Sequence, residues 1–130
     1  MRILIDTDVL LDVALAREQH LAASAAVLEW AESGGEAAVA WHSLTNCSYL
    51  LKGGRGFLKK LLRIVEVPEV GTQDAKWAVE SPMTDLEDAF QTAAALSWKA
   101  DFIVTRNLVD YRKSPVPAIS PSAFLKKNVN

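Results

Sequence analysis

Cysteine is almost absent from this chain. Cys47 stands alone, so no internal disulfide can form, and a reducing cytoplasm is the expected setting. Cys47 also lacks a neighbouring base or cation to activate it, and it reads as a packed thiol. Long apolar runs are missing too. No window approaches the ~20 consecutive apolar residues of a membrane span. Asp6 and Asp8 interrupt the opening Met1-Arg2-Ile3-Leu4-Ile5 before a secretory core of ~7–15 residues could form. No export signal and no membrane partner are expected. A strong charge of either sign is lacking as well: the net charge of −2 gives the whole molecule no long-range pull on nucleic acid. There is no Walker loop, dinucleotide fingerprint or zinc-ligand spacing, and His20 and His42 are too far apart to form a metal pair by sequence.

What remains is a composition of 50% hydrophobic and 23% charged residues over 130 positions, enough for one domain with a true core and too little for two. A single domain spanning 1–130 is expected. Its charges are unevenly placed. Residues 1–51 hold seven acids and two bases, whereas Lys52, Arg55, Lys59, Lys60 and Arg63 follow with no acid among them. Lys52, Arg55, Lys59 and Lys60 are the candidate nucleic-acid-binding residues. The competing explanation is a solvated helix face formed by Lys59, Lys60 and Arg63.

Ile3-Leu4-Ile5 is a short apolar run of the kind found in a strand buried on both faces, and Asp6-Thr7-Asp8 offers capping oxygens to a following helix. On that first helix Asp12 is expected to lie exposed. Leu21, Ala25 and Leu28 recur at helical spacing against Ser24, Glu29 and Glu32, until Gly34-Gly35 ends the helix. Ala37 to Ala40 reads as a strand. Ser43 is the expected cap of a helix carrying Leu44, Cys47 and Leu51 on one face, with Asn46 turned away. A basic helix from about Phe57 to Arg63 leads into Ile64-Val65, a weak strand candidate. Thr84-Asp85-Leu86-Glu87 has the pattern of a capping box, followed by an apolar stripe of Leu86, Ala89, Phe90, Ala93, Ala94 and Ser97. Phe102-Ile103-Val104 is another buried-strand candidate, and Ala118-Ile119 a short one before a last helical turn. Alternating strands and helices predict an α/β fold with a parallel sheet covered on both faces, whose ligands bind beyond the carboxyl ends of the strands.

Three acidic clusters fall at such ends or at helix starts: Asp6-Thr7-Asp8, Asp85 to Asp88, and Thr105 to Asp110. Carboxylates gathered within a few ångström raise one another's pKa unless a cation relieves them. Mg²⁺ or Mn²⁺ suits such an oxygen-rich site with room for a substrate phosphate, where it would activate water and stabilise an in-line phosphodiester displacement. Asp85 has a second explanation in the helix dipole, and Asp110 another in surface pairing with Arg106 or Arg112. A receiver-like signalling domain would need a lysine after a later strand, and no convincing one is present.

The segments Ile3-Leu4-Ile5-Asp6-Thr7-Asp8-Val9-Leu10-Leu11-Asp12, Asp85-Leu86-Glu87-Asp88-Ala89-Phe90-Gln91 and Ala100 to Tyr111 resemble, in order and spacing, the PIN-domain family, which includes the VapC-type toxins. The resemblance implies a three-layer α/β/α fold with a central parallel sheet of four to five strands, and a metal-dependent endoribonuclease acting on an RNA substrate. It further implies an antitoxin partner and makes a homodimer plausible. By the same resemblance Asp6 and Asp88 are metal ligands and Asp110 or Asn107 completes the far side. Asn46 then stands among the catalytic positions, and Asp8, Asp85, Thr105 and Arg106 adjoin the site. The family commonly has Asn where Asp8 stands, Glu near Asn46, and in many members Asp at Asn107. An amide brings no charge, so these departures predict weaker metal affinity, one ion in place of two, with Asp8 and Asp85 as the acids placed to compensate. The alternative is a catalytically weakened PIN domain that binds RNA or a partner.

Overall fold

The computed structural model describes residues 1–128; Val129 and Asn130, the end of the expected single domain, lie outside the described residues. Four parallel strands form one sheet: β1 (Arg2–Ile5), β2 (Glu36–Ala38), β3 (Phe102–Val104) and β4 (Ala118–Ile119), in the order β2-β1-β3-β4. Around it lie α1 (Thr7–Ala14), α2 (Leu21–Glu32), α3 (Trp41–Leu50), α4 (Gly54–Leu61), α5 (Thr72–Glu80), α6 (Leu86–Trp98) and α7 (Pro121–Asn128), with a 3₁₀ turn at Leu108–Tyr111. Parallel strands need crossovers, and these place helices on both faces. Ile3, Leu4 and Ile5 of the central strand are accordingly all buried.

Strand alternation divides the core in two. Ile3 and Ile5 join Val9, Leu10, Val27 and Phe124 beneath α1, α2 and α7, while Leu4 joins Ala78, Ala89 and Ala93 beneath α5 and α6. Three layers result, with a sheet of four strands. Small residues on α6 let that helix lie close to the sheet, and Ala89, Ala93, Ala94 and Ala95 are all buried. Leu86 and Ser97 are not part of this stripe: Leu86 is exposed, and Ser97 donates to the Glu69 carbonyl on the surface. On α2 the expected face is displaced as well. Ser24, Val27 and Ala31 are its buried residues, because the Ser24 hydroxyl has a buried partner in Asp12.

Several boundaries differ from expectation. Ile64-Val65 forms no strand; one parallel bridge joins Glu66 to Ala38 at the sheet edge. The basic helix begins at Gly54, just after Gly53 in the left-handed conformation (φ 66°), and Arg63 lies beyond its end. Ser43 does not cap α3, whose N-cap is Ala40. The Ser43 hydroxyl instead accepts from Thr7 Oγ1 at 2.8 Å and Gln91 Nε2 at 2.6 Å, a buried polar junction joining α3, α1 and α6 behind the acidic end of the sheet. Nor does Thr84 cap α6. Asp85 is the N-cap, accepting from the Asp88 amide at 3.0 Å.

Candidate metal centre

Asp6 directly follows β1 in an extended conformation and caps α1, so its carboxylate stands at the carboxyl edge of the central strand. One oxygen, Oδ1, accepts from the Thr7 amide at 2.7 Å. The other accepts from Thr105 Oγ1 at 2.8 Å, and Thr105 leaves the neighbouring strand β3. Parallel pairing of β1 with β3 thus brings the first and third acidic segments together. The second arrives on α6, whose first turn carries Asp88. The Tyr111 hydroxyl joins the two acids, 3.0 Å from Asp6 Oδ2 and 3.1 Å from Asp88 Oδ1.

These groups border a cleft of about 430 Å³, and Asp6, Asp8, Asn46, Asp85, Asp88 and Asn107 lie on its wall. Burial is the main force on the carboxyls. It raises the pKa of Asp6 against the hydrogen bonds from Thr105, Thr7 and Tyr111. It pushes Asp8 up to about 6, helped by the charge of Asp6. Asp88 rises to about 7 through burial and then the charges of Asp6 and Asp85. Burial and the charges of Asp6 and Asp88 hold the Tyr111 phenol far above its usual value, so it stays a neutral donor. Two carboxylate oxygens, Asp8 Oδ1 and Asp88 Oδ2, are buried with no hydrogen-bond partner among the described residues. Buried acceptors left empty beside mutually repelling acids are what a divalent cation would satisfy, so the donor set fits Mg²⁺ or Mn²⁺.

Asp110 comes within reach of this set: one oxygen each of Asp85, Asp88 and Asp110 lie within 4.8 Å of one another. Its partner is Asn107 Nδ2 rather than Arg106 or Arg112. Arg106 is engaged elsewhere, donating from Nε and Nη2 to Asp12 at 2.7 and 2.9 Å while its amide donates to Asp8 Oδ2 at 3.0 Å. Asp12 is therefore not exposed but fully buried, held by Arg106, Ser24 and, at 3.4 Å, Arg17. Burial alone would raise its pKa, yet the Arg106 and Ser24 hydrogen bonds and the Arg106 charge outweigh it and hold the carboxyl low. Asn46 donates from Nδ2 to Glu87 Oε1 at 2.8 Å, which leaves Oδ1 as the atom available to a cation or water. Lys52, Arg55, Lys59 and Lys60 lie exposed on α4 and the turn before it, outside the cleft wall; Arg17 is the cation that lines it. Cys47 is buried and pushed up to about 11, as a packed thiol should be.

A PIN-domain family profile matches residues 2–109. The chain belongs to the PIN-domain family. No curated protein matches this PIN domain in sequence. Among solved structures it is similar to a chain of the VapBC2 complex from Rickettsia felis bound to a promoter DNA fragment. That pair has a TM-score of 0.70 at 14% identity, covering 92% of this chain and 98% of the other. It is also similar to a chain of a toxin–antitoxin complex from Klebsiella pneumoniae, with a TM-score of 0.66 at 17% identity over 92% and 97% of the two chains. At such identity these likenesses speak to the fold, which is the PIN α/β/α arrangement. No described helix is long and apolar enough to cross a membrane.

For four residues at or beside the site, the sequence did not show the role the fold gives them. Tyr111 follows Asp110 directly, but only the folded turn shows that its hydroxyl reaches Asp6 and Asp88. Asp12 was expected to lie exposed, and nothing in the sequence revealed Arg106 as its partner. Glu87, read from the sequence as a capping-box acid, and Arg17 line the cleft.

Proposed function

We propose that this PIN domain is a divalent-metal-dependent endoribonuclease and the toxin of a toxin–antitoxin pair. The observation that carries the proposal is the convergence of Asp6 and Asp88 on one hydroxyl at the carboxyl end of the sheet, with Asp88 Oδ2 left without a hydrogen-bond partner among the described residues. When bound, Mg²⁺ or Mn²⁺ supplies Lewis-acid stabilisation of phosphate oxygens and lowers the pKa of water. Asp6 and Asp88 would hold the ion, Asp110 would close the far side, and Asn46 Oδ1 would add a neutral oxygen. Thr105 orients Asp6 through its hydroxyl, and the Arg106 amide and guanidinium fix Asp8 and Asp12. Lys52, Arg55, Lys59 and Lys60 offer a basic track for the RNA backbone, a role read out as a salt-dependent affinity. The toxin assignment draws on the two complexes named above; self-association is part of the same proposal and is checked by sedimentation.

The test is RNA cleavage by purified protein with Mn²⁺ or Mg²⁺. Activity that disappears with chelator and in both Asp6→Asn and Asp88→Asn supports the proposal, and cleavage that persists under chelation contradicts it. A second reading is favoured by two amides, Asn46 paired with Glu87 and Asn107 paired with Asp110, at positions where the family commonly carries acids. The domain would then bind RNA or a partner without cutting. RNA affinity unchanged by chelator and by Asp6→Asn, with no cleavage, marks that case.

A further inference from the structure

We infer that Tyr111 is a positioning residue for the cation site: its phenol oxygen is the spacer that fixes the separation of the Asp6 and Asp88 carboxylates. This rests on the metal-binding reading above. Asp6 is already tied down by Thr7 and Thr105. Asp88 is different, because the Tyr111 hydroxyl is the one hydrogen-bond partner of its carboxylate among the described residues. Without that contact, like charges would drive Asp88 away from Asp6, toward other staggered side-chain positions. With it, the two ligands from β1 and α6 share one oxygen at 3.0 and 3.1 Å.

Tyr111 can serve as a fixed spacer because its ring is itself immobilised. It is 3% exposed and packs in the α5–α6 side of the core with Met83, Ala89, Ile103 and Val116. Phenylalanine would fill the same space. A buried hydroxyl needs partners, and those it has are both candidate ligands. The phenol carries one hydrogen and cannot donate to both acids at once, so sharing it constrains both rather than saturating either. Partners of this kind, touching ligands rather than metal, typically govern affinity by about 10–100-fold.

The experiment is Mn²⁺ titration by calorimetry on the full chain, comparing wild type with Tyr111→Phe, alongside their metal-free melting temperatures. Expected is a loss of Mn²⁺ affinity of about 10–100-fold in Tyr111→Phe, with the metal-free melting temperature nearly unchanged. Equal Mn²⁺ affinity in wild type and Tyr111→Phe would overturn the inference while leaving the metal site standing. No Mn²⁺ binding by wild type would overturn both. Should the variant fold poorly, the structure of Mn²⁺-bound wild type decides: a Tyr111 phenol oxygen still within hydrogen-bond distance of both carboxylates supports the spacer role, and one withdrawn from them refutes it.

Discussion

Asp12 shows how much a single buried carboxylate can hold in place. It accepts two bonds from Arg106 and one from Ser24, and so ties the loop after β3 to α1 and α2 just behind the acidic cleft. Asp12→Ala removes charge-assisted hydrogen bonds worth about 1.5–3 kcal/mol, and Arg106, 30% exposed, recovers only part of that from water. Urea unfolding should show that loss, and Arg106→Ala should not add to it fully, since the two residues form one unit. Additive losses would mean that they act separately. Asp88 behaves oppositely. Asp88→Asn relieves repulsion from Asp6 and Asp85, so the metal-free protein should melt at the same temperature or higher while losing its stabilisation by Mn²⁺. A lower metal-free melting temperature would contradict the picture of Asp88 as a strained, cation-awaiting acid.

At the scale of elements, the start of α6 decides how Asp88 is presented. Asp85 caps that helix through the Asp88 amide, so its removal frays the turn that carries the ligand. Asp85→Ala should cost about 0.5–2 kcal/mol in chemical denaturation and Asp85→Ser only a fraction of that, whereas Thr84→Ala should be close to neutral. A large effect at Thr84 would restore it as the cap. This helix also marks where sequence patterns stop being informative. Thr84-Asp85-Leu86-Glu87 satisfies the capping-box pattern, yet the chain turns one residue later and Glu87 pairs with Asn46 across the cleft. The strands β1 and β3 were legible because short apolar runs bounded by polar residues leave few alternatives, and Asp6 and Thr105 were legible with them. Ser24, Ser43 and Asp12 were not, because a polar residue enters the core only where a distant partner meets it, and that partner is set by tertiary packing. Tyr111 escaped for the same reason.

For the whole molecule, the acidic end of the sheet predicts an unusual pH response. Asp8 and Asp88 rise from 3.8 to about 6 and about 7, so the folded state binds more protons than the unfolded chain between those limits. Their contribution to stability is fully present below pH ~4 and is lost as pH climbs through 6 to 7. Asp12, shifted downward, acts only below that window. Calorimetric scans of the metal-free protein should therefore show a melting temperature lower at pH 8 than at pH 5, by ~4 °C or more if about 1 kcal/mol is lost. Millimolar Mn²⁺ should narrow the gap, since a cation favours the ionised acids. A melting temperature that rises over this interval would contradict the assigned electrostatics.

In the proposed function Asp6 and Asp88 together hold a divalent cation at the carboxyl end of the parallel sheet. An anomalous difference map from Mn²⁺-soaked crystals would locate such an ion. A peak is expected at coordination distance from both carboxylates, with Tyr111 beside it. A map with no peak there, or with manganese bound only elsewhere on the surface, would contradict it.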